Sequence, residues 1–220
     1  EEFWNDLNTE SNLFFGTIMM NKTDNGFEII DGQQRLLNVT MVCSIIRNKL
    51  KDLGTSTSLD QANNIQRDSI SKSTNVGAGV EEFYFLQPAR SIRELFENHV
   101  QSKDGEPLSD YQLPADSPKE HKEIQDKYKS YNEKIDDDLM DSDRPEVCQS
   151  KLVGLHQKIK DLRIICVEIE DEIQAYEIFE SVNVKGLDLS VSDLVKNKIF
   201  RSLHNRDNAH DELWQNMIAE

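Results

Sequence analysis

The residues best suited to chemistry are Asp31-Gly32-Gln33-Gln34-Arg35. An apolar run, Phe27–Ile30, ends on Asp31, and a helical pattern begins at Gln33. A glycine between strand and helix permits a sharp turn or a close backbone approach. The unpaired N–H groups of a helix start attract anions. Arg35 adds a planar fork that matches phosphate oxygens. Gln33 and Gln34 add neutral amides for phosphate, ribose or base. Asp31 would repel a bare phosphate, so its chemical use is to hold Mg²⁺ or to orient water. A plainer reading uses the same residues: Asp31 caps the helix, and Arg35, four positions on, forms an ion pair with it. Five polar residues do not decide between the two.

A second group lies far along the chain. Asn183-Val184-Lys185-Gly186 reads as a helix stop with Gly186 as its cap, and Ser190-x-x-Asp193 opens the next helix as a variant capping box. In the functional reading Asn183 and Lys185 sit on a loop beside the Asp31 turn, with Lys196 and Asn197 facing a phosphate. Glu180 pairs with Arg35 or Lys196. Residues 185–206 hold Lys185, Lys196, Lys198, Arg201 and Arg206 against Asp188 and Asp193, a local basic excess in a chain of net charge −16. Such a stripe is also what a solvated helix face looks like. His156, His204 and His210 have no spacing that suggests a metal or a base, and no Ser/His/Asp or Cys/His arrangement is legible.

The elements around these groups are read from periodicity. Residues 1–8 read as the tail of a helix. Residues 14–20 and 27–30 are apolar runs joined by the polar stretch 22–26, a β-hairpin pattern. From 33 to 52 the period is helical, with Leu36, Leu37, Val39, Thr40, Cys43, Ile46 and Leu50 on the apolar side and Gly54 as the stop. Residues 55–80, rich in Ser, Thr, Asn and Gly, read as a flexible loop or weakly ordered insert. Glu82–Leu86 reads as a strand, 90–101 as a short helix, 102–118 as loop, and 119–139 and 146–160 as helices. The β-branched run Leu162–Ile169 reads as a central strand. Further helices are read at 171–182 and from Ser190. The class is α+β: a small sheet joined to a larger helical part.

With 220 residues the chain holds one domain or two small ones. Its net charge of −16 argues against non-specific DNA binding and against an anionic membrane surface. Cys43, Cys148 and Cys166 are too far apart for a disulfide framework or zinc site, and Cys43 and Cys166 read as buried hydrophobes in a reducing, cytoplasmic setting. No apolar run approaches the roughly 20 residues that span a bilayer. The opening Glu1-Glu2-Phe3-Trp4 reads as cut from a longer protein.

The segment Ile29-Ile30-Asp31-Gly32-Gln33-Gln34-Arg35-Leu36 resembles the IDGQQRL segment of GmrSD-type modification-dependent restriction endonucleases, in their N-terminal domain. Phe15-Gly16-Thr17-Ile18 resembles that family's F-L-G-S-I strand. Ala175 through Ser190 resembles its A-Y-x-I-F-E-x-L-N-x-R-G-x-x-L-S segment, and Asp193-Leu194-Lys196-Asn197 continues it. The resemblance covers residues 1–203 in outline. It implies a ParB- and sulfiredoxin-like nucleotide-binding core in residues 1–54 and 161–203, a mainly helical insertion at 55–160, and the start of a further helical segment at 204–220. It also implies Mg²⁺-dependent binding and hydrolysis of a nucleoside triphosphate. Asp31, Gln33 and Arg35 would be catalytic and Asp31 the metal ligand. Gly32, Gln33, Gln34, Arg35, Asn183, Lys185, Lys196 and Asn197 would hold the nucleotide. Gln33 stands where sulfiredoxin needs a cysteine, so thiol chemistry is excluded. Lys185 replaces the family's common Arg. The family's upstream Y-Q-R-x-Y-x-W stretch and its HNH-type nuclease domain do not occur in this chain, so DNA cleavage is not expected of it. A C-terminal nuclease domain or partner subunit, and DNA as a ligand of the full-length protein, are the implied partners. The alternative is a non-catalytic module that senses DNA or a partner protein.

Overall fold

Helix α2 (Gln33–Asp52) organises most of what surrounds it. Every residue from Thr40 to Arg47 on it is buried, more than the single apolar stripe its period predicts. A helix buried on nearly all faces needs neighbours on nearly all sides. The computed structural model describes residues 2–9, 14–24, 26–76 and 79–169, and the readings made for 171–206 lie outside them.

The chain divides into two units. The larger comprises Glu1–Gly16 and Gln33–Ile164. It holds α1 (Glu2–Thr9), α2, α3 (Ser56–Ile65), the antiparallel hairpin β3 (Ser71–Val76) and β4 (Gly79–Tyr84), α4 (Arg90–Phe96), α5 (Lys119–Leu139) and α6 (Pro145–Lys160). A π-helical turn comes after α3 (Gln66–Ile70), and another after α4 (Glu97–Gln101). The core joins Met41, Ile45, Ile46 and Leu50 of α2 to Phe96, Tyr128, Ile135 and Leu152. The charged helix α5 buries Tyr128, Tyr131 and Ile135 along one side. Trp4 of α1 is buried, and its indole Nε1 donates to Asp138 Oδ2 at 3.1 Å.

The smaller unit includes Thr17–Gly32 and the chain from Ile165 onward. Its sheet has the order β2-β1-β5, with β1 at Phe14–Thr23, β2 at Gly26–Asp31 and β5 at Arg163–Ile169. Strands β1 and β2 form the expected antiparallel hairpin, with a register shift between Met19 and Met20. Met19 and Ile169 are buried, with Ile30 and Val167 packed against them.

Two expectations fail here. Residues 55–80 are not a loop: they contain α3, a π turn and β3. Thr55 and Ser58 bond reciprocally, each side chain accepting from the other's backbone N–H at 3.1 Å, so a serine does the work usually done by Glu or Gln. The second concerns 162–169. Among the described residues β5 lies at the sheet edge, exposed from Arg163 to Cys166, and β1 is central. Cys166 is therefore exposed, whereas Cys43 is buried. β-Branching favours the pleated backbone but does not say which strand will be flanked on both sides.

Candidate functional site

Glycine geometry builds the turn at Asp31–Arg35. Asp31 ends β2, paired with Met19 across the hairpin, and is half-buried. Gly32 comes next with φ +96°, and Gln33 opens α2. A Cβ on Gly32 would lie 3.0 Å from Ile18 Cγ1 and 3.4 Å from Ile18 Cα. Both the backbone angle and the space therefore demand glycine. Ile18 is itself buried, so it has little room to yield.

Gly16 plays the corresponding part in the larger unit. Its φ is +109°, and a Cβ there would sit 3.0 Å from Arg35 Nε and 3.3 Å from Arg35 Cζ. The guanidinium of Arg35 thus lies across the bare backbone of Gly16. The two segments that carry the resemblance at this end of the chain meet twice, Ile18 against Gly32 and Gly16 against Arg35. Spacing alone carries no sign of this pairing. The joint occurrence of Phe15–Ile18 and Asp31–Arg35 was the available signal.

Gln33 and Gln34 are exposed on the first turn of α2, which has no acidic residue. Gln34 Oε1 accepts from Lys127 Nζ of α5 at 3.2 Å. Asn183, Lys185, Lys196, Asn197 and Glu180 lie outside the described residues. Among the described residues no three His, Cys, Asp or Glu side chains are grouped to hold a metal ion.

Sequence reasoning missed two polar groupings in the larger unit. Ser69 Oγ lies 2.9 Å from His156 Nε2, a pair 87 residues apart. Burial, then the charge of Lys160, lowers the His156 pKa from its ordinary value. Burial also pushes the Cys43 thiol up to about 12 despite a hydrogen bond with Ser69, which rules the thiol out as a nucleophile.

The other grouping surrounds Arg47, which is 1% exposed. Its Nε donates to Asn48 Oδ1 at 3.0 Å, and its Nη1 to Gln66 Oε1 and to Gln101 O. Its Nη2 donates to Ser44 Oγ and Val100 O, each at 3.1 Å. All five guanidinium N–H donors are used, and every acceptor is neutral. Gln66 Nε2 in turn donates to Ser71 Oγ and Glu82 Oε1, each at 2.9 Å. Burial lowers the Arg47 pKa, while Tyr128 and Glu82 act in the opposite direction.

Among the described residues no helix is long and apolar enough to cross a membrane. A search of curated proteins finds no match. A family model for the N-terminal domain of the GmrSD restriction endonuclease matches residues 1–200. That span takes in both the Phe15–Ile18 and Asp31–Arg35 segments, and the chain belongs to the family of GmrSD restriction endonuclease N-terminal domains.

Proposed function

We propose that the Asp31–Arg35 turn binds the phosphates of a nucleoside triphosphate, and that the chain is the nucleotide-dependent regulatory part of a modification-dependent restriction protein. The supporting observation is the pairing of Gly16 with Arg35: a cationic fork laid on a backbone that only glycine can supply. In this reading the Arg35 guanidinium holds phosphate oxygens in bidentate fashion. The N–H groups at the start of α2 add fixed partial charge. Gln33 and Gln34 orient the nucleotide and a water molecule. Asn183, Lys185, Lys196 and Asn197 are proposed as further nucleotide contacts, with DNA and a nuclease domain or subunit as partners. The core is ParB-like, formed by residues 1–54 and 161–203.

The donor set at the turn suits Mg²⁺ that arrives with the nucleotide. Asp31 is a single half-buried carboxylate, and Mg²⁺ commonly takes one or two carboxylates plus substrate phosphates. When bound, the ion would offset phosphate charge and lower the pKa of a coordinated water. Asp31 would hold it, and Arg35 would stabilise charge on the transferring phosphate.

Isothermal titration with GTP, UTP, CTP and ATP, with and without Mg²⁺, tests the reading. Heat with at least one nucleotide, lost in Arg35→Ala while the circular dichroism is unchanged, is the expected result. No heat with any nucleotide would favour a non-catalytic sensing module, and wild-type binding by Arg35→Ala would overturn the site assignment.

A further inference from the structure

A second basic feature lies in the larger unit and does not depend on the reading of the Asp31–Arg35 turn. A cleft of about 550 Å³ runs beside β3, lined by Gln66, Arg67, Lys72, Glu82, Phe85 and Lys103, among others. Its volume falls within the roughly 300–1,000 Å³ usual for small-ligand sites. Three of these residues are cations and one is an anion, in a chain of net charge −16.

The cations differ in how they are engaged. Arg67 is paired with Asp68 at 3.0 Å. Among the described residues no carboxylate lies within ion-pair distance of Lys72 or Lys103. Buried Arg47 adds a further positive charge below, joined to Glu82 only through the Gln66 amide. The Lys51 amine donates to the carbonyl of Lys103, and its pKa is lowered by burial and then by the charge of Arg47, while Asp104 acts in the opposite direction.

The cleft also offers an apolar plane. Phe85 is 57% exposed and Phe83 is 53% exposed. The Phe85 N–H donates to Ile70 O at 2.9 Å, which carries the hairpin pairing past Tyr84. Strand alternation then puts Phe83 and Phe85 on one face, with Lys72 directly across from Phe83. Glu82 Oε1 and Ser71 Oγ bond to each other and to Gln66 at the base of the cleft.

We propose that this cleft binds one nucleotide unit, a planar base joined to a phosphate, either free or as an unpaired position in a nucleic-acid strand. The base stacks on Phe85, which is sequence-tolerant because every base has a π-face. Lys72 and Lys103 take the phosphate.

The test is made in wild type and in Arg35→Ala, so that the Asp31–Arg35 turn does not contribute to the signal. Fluorescence anisotropy would track a short labelled single-stranded oligonucleotide and its duplex, and unlabelled mononucleotides would be added as competitors. The single strand should bind better than the duplex. Lys72→Glu/Lys103→Glu should weaken binding at least about tenfold and lower the salt slope by about two charges. Phe85→Ala should weaken it about ten- to hundredfold. Both variants change exposed side chains, and unchanged circular dichroism would confirm that they fold. Displacement by mononucleotides identifies free nucleotide as a sufficient ligand; binding of the strand without displacement identifies the strand. Binding lost in Arg35→Ala, or unaltered by the double lysine and Phe85 variants, overturns the proposal. So does failure of the wild type to bind any of these probes.

Discussion

Arg35 and Arg47 stand on the same helix, 12 positions apart, and their surroundings differ in kind. Arg47 is enclosed, and five neutral acceptors take its five N–H donors. Arg35 is half-buried, and its guanidinium lies on the backbone of a glycine with positive φ. A buried arginine with every donor used is a structural part, because nothing remains to offer a ligand. An arginine held at the surface by a backbone that excludes side chains is fixed in place without being enclosed. Charge and helix position alone would have treated the two alike.

Replacement separates them most sharply. Arg47→Ala should destabilise the larger unit by about 3–5 kcal/mol, because several buried acceptors lose their donor at once. Urea unfolding monitored by circular dichroism measures this, and a loss below about 1 kcal/mol would show that the network is not structural. Arg35→Ala should change stability by less than about 1 kcal/mol yet abolish the heat of nucleotide binding.

The glycines sharpen the contrast. Gly16→Ala should destabilise by about 1–3 kcal/mol, since its φ is strained for any other residue, and should weaken nucleotide binding by displacing Arg35. In the Arg35→Ala background the clash at Nε and Cζ is gone, so Gly16→Ala should cost less there. A double-mutant cycle reads that difference; additivity within error would mean that Gly16 does not act through Arg35.

The smallest effect concerns pH. Because the His156 pKa is lowered on folding, the unfolded chain takes up the proton first. The contribution of this residue is complete above its ordinary value of 6.5 and is lost as the pH falls through the lowered value. His156→Gln should flatten this part of the stability profile, measured as the midpoint of thermal unfolding between neutral and mildly acidic pH. An identical slope in the variant would exclude His156 as the titrating group.

Much of the frame was legible because local signals agreed with burial. The hairpin of β1 and β2 had apolar runs around a polar turn, and α2 had an apolar period long enough to leave no alternative. Glu82–Leu86 reads as a strand and overlaps β4 at Gly79–Tyr84, but its partner β3 gave no such sign. Lys72, Ser73 and Thr74 are exposed, so β3 lacks the apolar alternation by which a half-buried strand is recognised. Arg47 was invisible for the opposite reason: its partners at Gln66, Val100 and Gln101 come from distant segments that only folding brings together. At the candidate site the sequence named Gly32 and Arg35, but Gly16 was read as one residue of a strand. Its role depends on a backbone angle and a through-space contact that spacing does not encode.

The two π-helical turns also set the rotational phase of the chain beyond them. In each, the closing N–H reaches back five residues, Ser71 to Gln66 and Ser102 to Glu97. If either turn tightened to α pitch, each later residue would advance by one position, a rotation of about 100°. Ile70 and Val100, now fully buried, would swing out of register with the core. The Arg47 guanidinium bonds to Gln66 in one wide turn and to Val100 and Gln101 in the other. It therefore acts as an indexing pin, keeping two helix ends at the angular setting from which the β3–β4 hairpin and the loop after Gln101 depart.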